Sequence, residues 1–287
     1  MDPRFLLDMP PLTTRQEFSR KDTILYALGV GAGQDPAGDD LRFVYEDGLS
    51  ALPTYPAVLA YPGFWMREPQ YGIDWKRVLH VEQSVELHRP LPVEGRVRSE
   101  LRVDEILDKG ADKGAILFSS RRIYGEDDGE PIATLRQASI LRGNGGFGGS
   151  PGSSARPAPL PQRPPDHVVS LATRAEQALI YRLNGDDNPL HVDPGVAAEA
   201  GFPRPILHGL CTFAVACRAV LSVLCGNRTE PLRKVGGRFS AVVFPGETII
   251  TEIWRQEPGG AVFRARVAER DAVVLDNCHV AYAEDTN

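Results

Sequence analysis

Two periodicities run through this chain, and they recur in the same order in its two halves. Apolar and polar residues alternate over Arg96 to Val103 and over Thr248 to Trp254, the period-two pattern of half-buried antiparallel strands. Further strands read at Ala115 to Tyr124 and at Ala261 to Ala268. Ahead of each set stands a short helical segment ending in glycine, Arg20 to Gly31 in one half and Ala175 to Gly185 in the other. Tyr26 and Tyr181 lie 155 positions apart, and Gly95 and Gly246 lie 151 apart. Spacing this well kept is most simply a duplication.

The halves differ in one element. Ile206 to Leu224 has no proline and a single glycine near its start, and is apolar around most of its circumference, as a helix enclosed by a sheet should be. The matching stretch, Pro36 to Gly63, carries Pro36, Pro53, Pro56 and Pro62 with several glycines, which forbids a comparable helix. The pattern resembles an α+β double hot-dog fold, two curled antiparallel sheets packed side by side, with the central helix of the first copy missing. A Gly-, Pro- and Ser-rich run divides them, giving domains at 1–142 and 166–287 joined by a linker at 143–165.

Composition narrows the function classes. A net charge of -6 without a basic run speaks against a nucleic-acid surface. No apolar run approaches the roughly twenty residues of a membrane span. The N-terminus lacks the pattern of a secretion signal, and Asp285-Thr286-Asn287 is not a peroxisomal address. Cys211, Cys217, Cys225 and Cys278 form no Cys-x-x-Cys pair and read as small core residues, so a reducing, cytoplasmic setting is expected. No metal-ligand spacing and no phosphate loop after a strand is found; the Gly-Phe-Gly-Gly run sits in the linker.

Chemistry concentrates between Tyr181 and Gly209. Asp186, Asn188 and His191 lie within six positions, with Pro189 between Asp186 and His191, so the pair must converge on a turn. His208-Gly209 then opens the apolar helix, where the first amides have no internal partner and feel the positive end of the helix dipole. An acid, a base and a backbone donor are what adding water to a double bond conjugated with a thioester requires. His208 itself reads as bonding neighbouring backbone at the helix start, and His80 with Glu82 as a strand feature at the interface of the halves.

The stretch Asp186-Asp187-Asn188-Pro189-Leu190-His191, followed by His208-Gly209, closely resembles the motif of the MaoC-like (R)-specific enoyl-CoA hydratases, the hydratase 2 family. The likeness extends to Leu79-His80-Val81-Glu82-Gln83 and to Leu141-Arg142-Gly143 with the glycines after it. It implies a catalytic aspartate at Asp186, a water-orienting asparagine at Asn188, a catalytic histidine at His191 and an oxyanion-hole glycine at Gly209. It further implies an acyl-CoA substrate, no cofactor beyond its coenzyme A, larger acyl groups held by the helix-poor half, and a homodimer. Asp187 departs from the family's usual tryptophan. Arg233, Lys234 and Arg238 are the basic cluster assigned to coenzyme A phosphates. An acyl-CoA thioesterase and a catalytically silent acyl-CoA-binding subunit stand as alternatives.

Overall fold

The computed structural model describes residues 1–35, 38–149 and 159–283; Pro36, the central part of the 143–165 linker and the last four residues lie outside it. After a short helix α1 (Pro3–Asp8), each half contributes five strands. The first runs β1 (Leu12–Phe18), α2 (Arg20–Gly29), β2 (Val78–Leu87), β3 (Gly95–Asp108), β4 (Ala115–Gly125) and β5 (Pro131–Leu141). The second runs β6 (His167–Ala172), α3 (Gln177–Tyr181), α4 (Pro194–Glu199), α5 (Gly209–Cys225), β7 (Leu232–Phe239), β8 (Thr248–Gln256), β9 (Gly260–Val267) and β10 (Ala272–Tyr282).

The duplication is written into the sheet. Its order is β1-β3-β4-β5-β2-β7-β10-β9-β8-β6, so the second five strands repeat the first five in reverse. The halves therefore do not merely sit beside each other. They join at β2 and β7 into one ten-stranded sheet, in register from Glu82↔Arg238 to Glu86↔Lys234. One hydrophobic core crosses that seam, with Val85 and Val235 both about fully buried within it. A smaller cluster around Leu6, Trp65, Met66 and Leu117 closes the first half.

Helix α5 occupies the central place of the second half. Cys211, Phe213, Ala214 and Ala216 are wholly buried there, and Gly226 in the left-handed region ends the helix. Between residues 38 and 63 the described chain forms no α-helix, only 3-10 turns at Asp39–Phe43 and Tyr55–Ala57. The prolines that forbid a helix leave this stretch as a folded loop over the first half-sheet.

The two halves also grip each other through the turn after α2. Gln177 donates to the carbonyls of Leu28 and Gly29, at 3.1 and 2.5 Å. Arg218 of α5 donates to the Val30 carbonyl at 2.9 Å and pairs with Asp40 at 2.7 Å. Gly31, at φ +81°, lies against Arg218, and a Cβ there would meet the guanidinium at 3.3 Å. No helix among the described residues is long and apolar enough to cross a membrane.

Candidate active site

Asp186 to His191 folds as the turn that Pro189 dictates. A 3-10 turn spans Pro189–His191, and the Asn188 side chain caps it by accepting from the Leu190 amide at 3.1 Å. This use of Asn188 is structural: its Oδ1 shapes the loop that carries His191. The Asn188 amide in turn lies 3.5 Å from Oδ1 of Asp186.

His191 is 8% exposed, and its Nδ1 lies 2.9 Å from the Ile206 carbonyl. A carbonyl only accepts, so Nδ1 carries the proton and Nε2 is left with a lone pair. His208 is fully buried, and by the same logic its Nε2 donates to the backbone carbonyl of Asp186 at 3.1 Å. The imidazoles stack at 3.7 Å, and Tyr181 flanks His208 at 4.8 Å. His208 thus does more than finish a helix: it ties the start of α5 to the loop bearing Asp186.

Burial sets the protonation of the pair. It raises the Asp186 pKa above the usual carboxylate value, against the pull of His191, and Asp187 adds a small push in the same direction. It lowers the His191 pKa below 6.5. Burial thus biases both residues toward their uncharged forms. Donor atoms of Asp186, His191 and His208 lie within 4.8 Å of one another. One ring nitrogen of each histidine is already committed to a carbonyl, Nδ1 of His191 to Ile206 and Nε2 of His208 to Asp186.

Gly209 is exposed at the first position of α5, in front of the buried His208. A Cβ at Gly209 would come within 3.3 Å of the Phe239 ring, and Phe239 is itself packed edge-on by His80 of the first half at 5.0 Å. The site therefore presents an acid, a base, an unencumbered helix-start amide and a backing ring braced across the seam.

Comparison with known proteins gives the family. The family model for the MaoC like domain matches residues 157–277, and that for the MFE-2 hydratase 2 N-terminal domain matches residues 16–143. The chain is 44% identical to 3-hydroxyacyl-thioester dehydratase Y of Mycobacterium tuberculosis, covering 93% of both chains. The chain belongs to the MaoC-like hydratase 2 family. Its identity to peroxisomal enoyl-CoA hydratase 2 of Arabidopsis thaliana is 39%, over 91% of this chain and 89% of that one. A MaoC-like dehydratase crystal structure from Phytophthora capsici superimposes with a TM-score of 0.87 at 35% identity, covering 99% of each chain.

In this hydratase 2 chain the residues expected to contact coenzyme A lie along one strand, β7. Along β7, Lys234 and Arg238 stand opposite Glu86 and Glu82 and alternate with the core residue Val235, so they face away from α5. Arg233 is exposed, lies at a bulge of β7 and donates to the Glu230 carbonyl. Reading by motif gave no role to Arg182, whose charge reaches His208, or to Tyr181, whose buried hydroxyl has no hydrogen-bond partner among the described residues. Cavities of about 340 and 560 Å³ open at the first half, the first lined by Leu12, Phe64 and Trp65 and the second by Lys109 and Lys113; neither touches Asp186 or His191.

Proposed function

We propose that this protein hydrates trans-2-enoyl-CoA to (3R)-3-hydroxyacyl-CoA, reversibly, with His191 as base and Asp186 as acid. The observation that carries the residue roles is the His191–Ile206 hydrogen bond, which commits Nδ1 and frees Nε2 to take a proton. Relatives named enoyl-CoA hydratase 2 and 3-hydroxyacyl-thioester dehydratase, each aligned over most of the chain, support the reaction.

Nε2 of His191 removes a proton from water as its oxygen bonds to C3 of the enoyl group. The electrons of the double bond move through C2 to the thioester oxygen, which accepts from the Gly209 amide at the positive end of α5. Asp186 then delivers its proton to C2. The imidazolium returns a proton to the carboxylate, and the pair is reset, having carried one proton between its two members. The step is redox-neutral and needs only the coenzyme A that the substrate brings.

We assign catalysis to residues 166–287 and the acyl tail to residues 1–142, joined by the linker 143–165. The absence of a helix among the described residues 38–63 supports the tail assignment. Arg233, exposed at the start of β7 and without a carboxylate opposite it across the seam, is the member of the basic cluster we retain as a coenzyme A contact. The four cysteines are buried and none forms a disulfide, which supports a reducing, cytoplasmic setting. The family likeness supports a homodimer, to be checked by light scattering.

The test is hydration of crotonyl-CoA and trans-2-decenoyl-CoA by the purified protein, followed by loss of enoyl absorbance and by chiral analysis of the product. Release of free coenzyme A without 3-hydroxyacyl product would identify a thioesterase instead. Loss of neither substrate with folded protein would leave the reading of a silent binding subunit.

A further inference from the structure

We propose that His80, a residue of the first half, is a positioning residue for the oxyanion donor of the second: it holds the Phe239 ring against Gly209, and that ring keeps water from the amide that receives the thioester oxygen. The proposal rests on the hydratase reading. Three contacts carry it.

The first joins Phe239 to the donor. Phe239 is the last residue of β7 and packs, partly buried, on the core. A Cβ at Gly209 would lie 3.3, 3.5 and 3.7 Å from Cε1, Cδ1 and Cζ of its ring. The gap is narrower than a methyl group needs, so no water fits between the ring and the glycine. Gly209 is in turn tied to the loop that bears the acid, because His208 beside it donates to the Asp186 carbonyl at 3.1 Å.

The second joins His80 to the same ring. The two rings meet in a T-shaped contact, with centroids 5.0 Å apart and planes at 67°. Backbone pairing of the seam ends at Glu82↔Arg238, one residue short of Phe239, and just beyond that end the side chain of His80 reaches across from β2.

The third fixes His80 itself. The register of β2 against β5 slips from Glu82↔Ala138 to His80↔Ser139, which makes Val81 the extra residue of a β-bulge. A bulge re-aims the side chains beside it. Nε2 of His80 donates to the Glu82 carbonyl across this one at 2.9 Å, which pins the imidazole.

An oxyanion donor works best when it is fixed and dry, since nothing then has to reorganise as charge develops. Phe239 stands at the end of a strand, and without His80 its ring can turn from Gly209 and admit water to the amide. The loss falls on the charge of the transition state rather than on the neutral thioester, so it is read in kcat and not in KM. The half that has no acid–base pair thus supplies a brace for the half that has one.

The experiment measures kcat and KM on crotonyl-CoA for wild type, His80→Ala, His80→Gln, His80→Phe, Phe239→Leu and the double variant His80→Ala with Phe239→Leu. Competent sites are counted by calorimetric titration with butyryl-CoA, so that kcat refers to folded protein alone. His80→Ala is expected to lower kcat about tenfold with KM within about twofold, less than the loss of a donor outright because the Gly209 amide remains. His80→Gln, which keeps a donor for the Glu82 carbonyl but no ring, is expected to do the same. His80→Phe, which keeps a ring, is expected to recover kcat to within about threefold of wild type. In the Phe239→Leu background His80→Ala is expected to add less than about twofold, because it acts through the ring already removed. An unchanged kcat in His80→Ala overturns the proposal, as does a raised KM with kcat intact. A full further loss in the double variant also overturns it. Wild type that binds butyryl-CoA and leaves crotonyl-CoA unhydrated overturns the hydratase reading, and this proposal with it.

Discussion

Each imidazole at the site gives one nitrogen to a carbonyl, and the remaining nitrogens differ in consequence. Nε2 of His191 is the nitrogen proposed to take a proton, whereas Nδ1 of His208 is buried without a hydrogen-bond partner among the described residues. Replacing His191 with Gln, or Asp186 with Asn, is expected to lower kcat on crotonyl-CoA by about 10² to 10⁴-fold, with circular dichroism unchanged. His208 bears instead on stability. Burial, followed by the neighbouring His191, depresses its pKa from 6.5 to about 3. The unfolded chain protonates as pH falls through about 6.5 while the folded one resists to about 3. Stability is thus complete above pH 6.5 and lost on acidification, by about 2 to 3 kcal/mol at pH 4.5. Urea midpoints measured from pH 7 to 4.5 should fall, and fall less in His208→Gln. The motif residues were legible because a turn collects neighbours in sequence. The shape of the loop at residues 56–60 was not, since its backbone is held by contacts 39 to 65 positions away.

Helix α5 links the catalytic loop to the rest of the fold, and its two ends have different duties. At its start, Gly209→Ala would press a methyl group on Phe239 and crowd the substrate oxygen. Activity is expected to drop by about 10 to 100-fold. A second change, Phe239→Leu, should restore thermal stability without restoring the rate, which separates the packing effect from the lost approach. Further along, Arg218 and Asp40 are 10% and 16% exposed, so the remaining charge cannot be rehydrated when its partner is removed. Arg218→Met should cost about 3 to 5 kcal/mol, measured by chemical denaturation. The helix itself was evident from its composition. Its dependence on the glycine-rich turn of the first half was not, because carbonyls that accept from Gln177 and Arg218 leave no mark in side-chain pattern. That turn stands where the other half has its catalytic loop, and it now serves as a socket for α5.

At the scale of the whole molecule, repeat spacing revealed the duplication, but joining of the strands into one sheet depends on backbone pairing at β2 and β7, which sequence does not display. A core continuous across that seam implies that neither half is stable alone. Residues 1–149 and 159–287 expressed together as two polypeptides should co-purify and hydrate crotonyl-CoA, while either one alone should show non-cooperative thermal unfolding. Activity from residues 159–287 alone would contradict this. The seam has a further consequence for inheritance. Because Asp186 and His191 lie on one side of it and the stretch 38–63, without an α-helix, on the other, recombination between relatives at the linker is expected to exchange tail preference while leaving the Asp186–His191 loop unchanged. A family of such chains can thus diversify its diet by shuffling front halves.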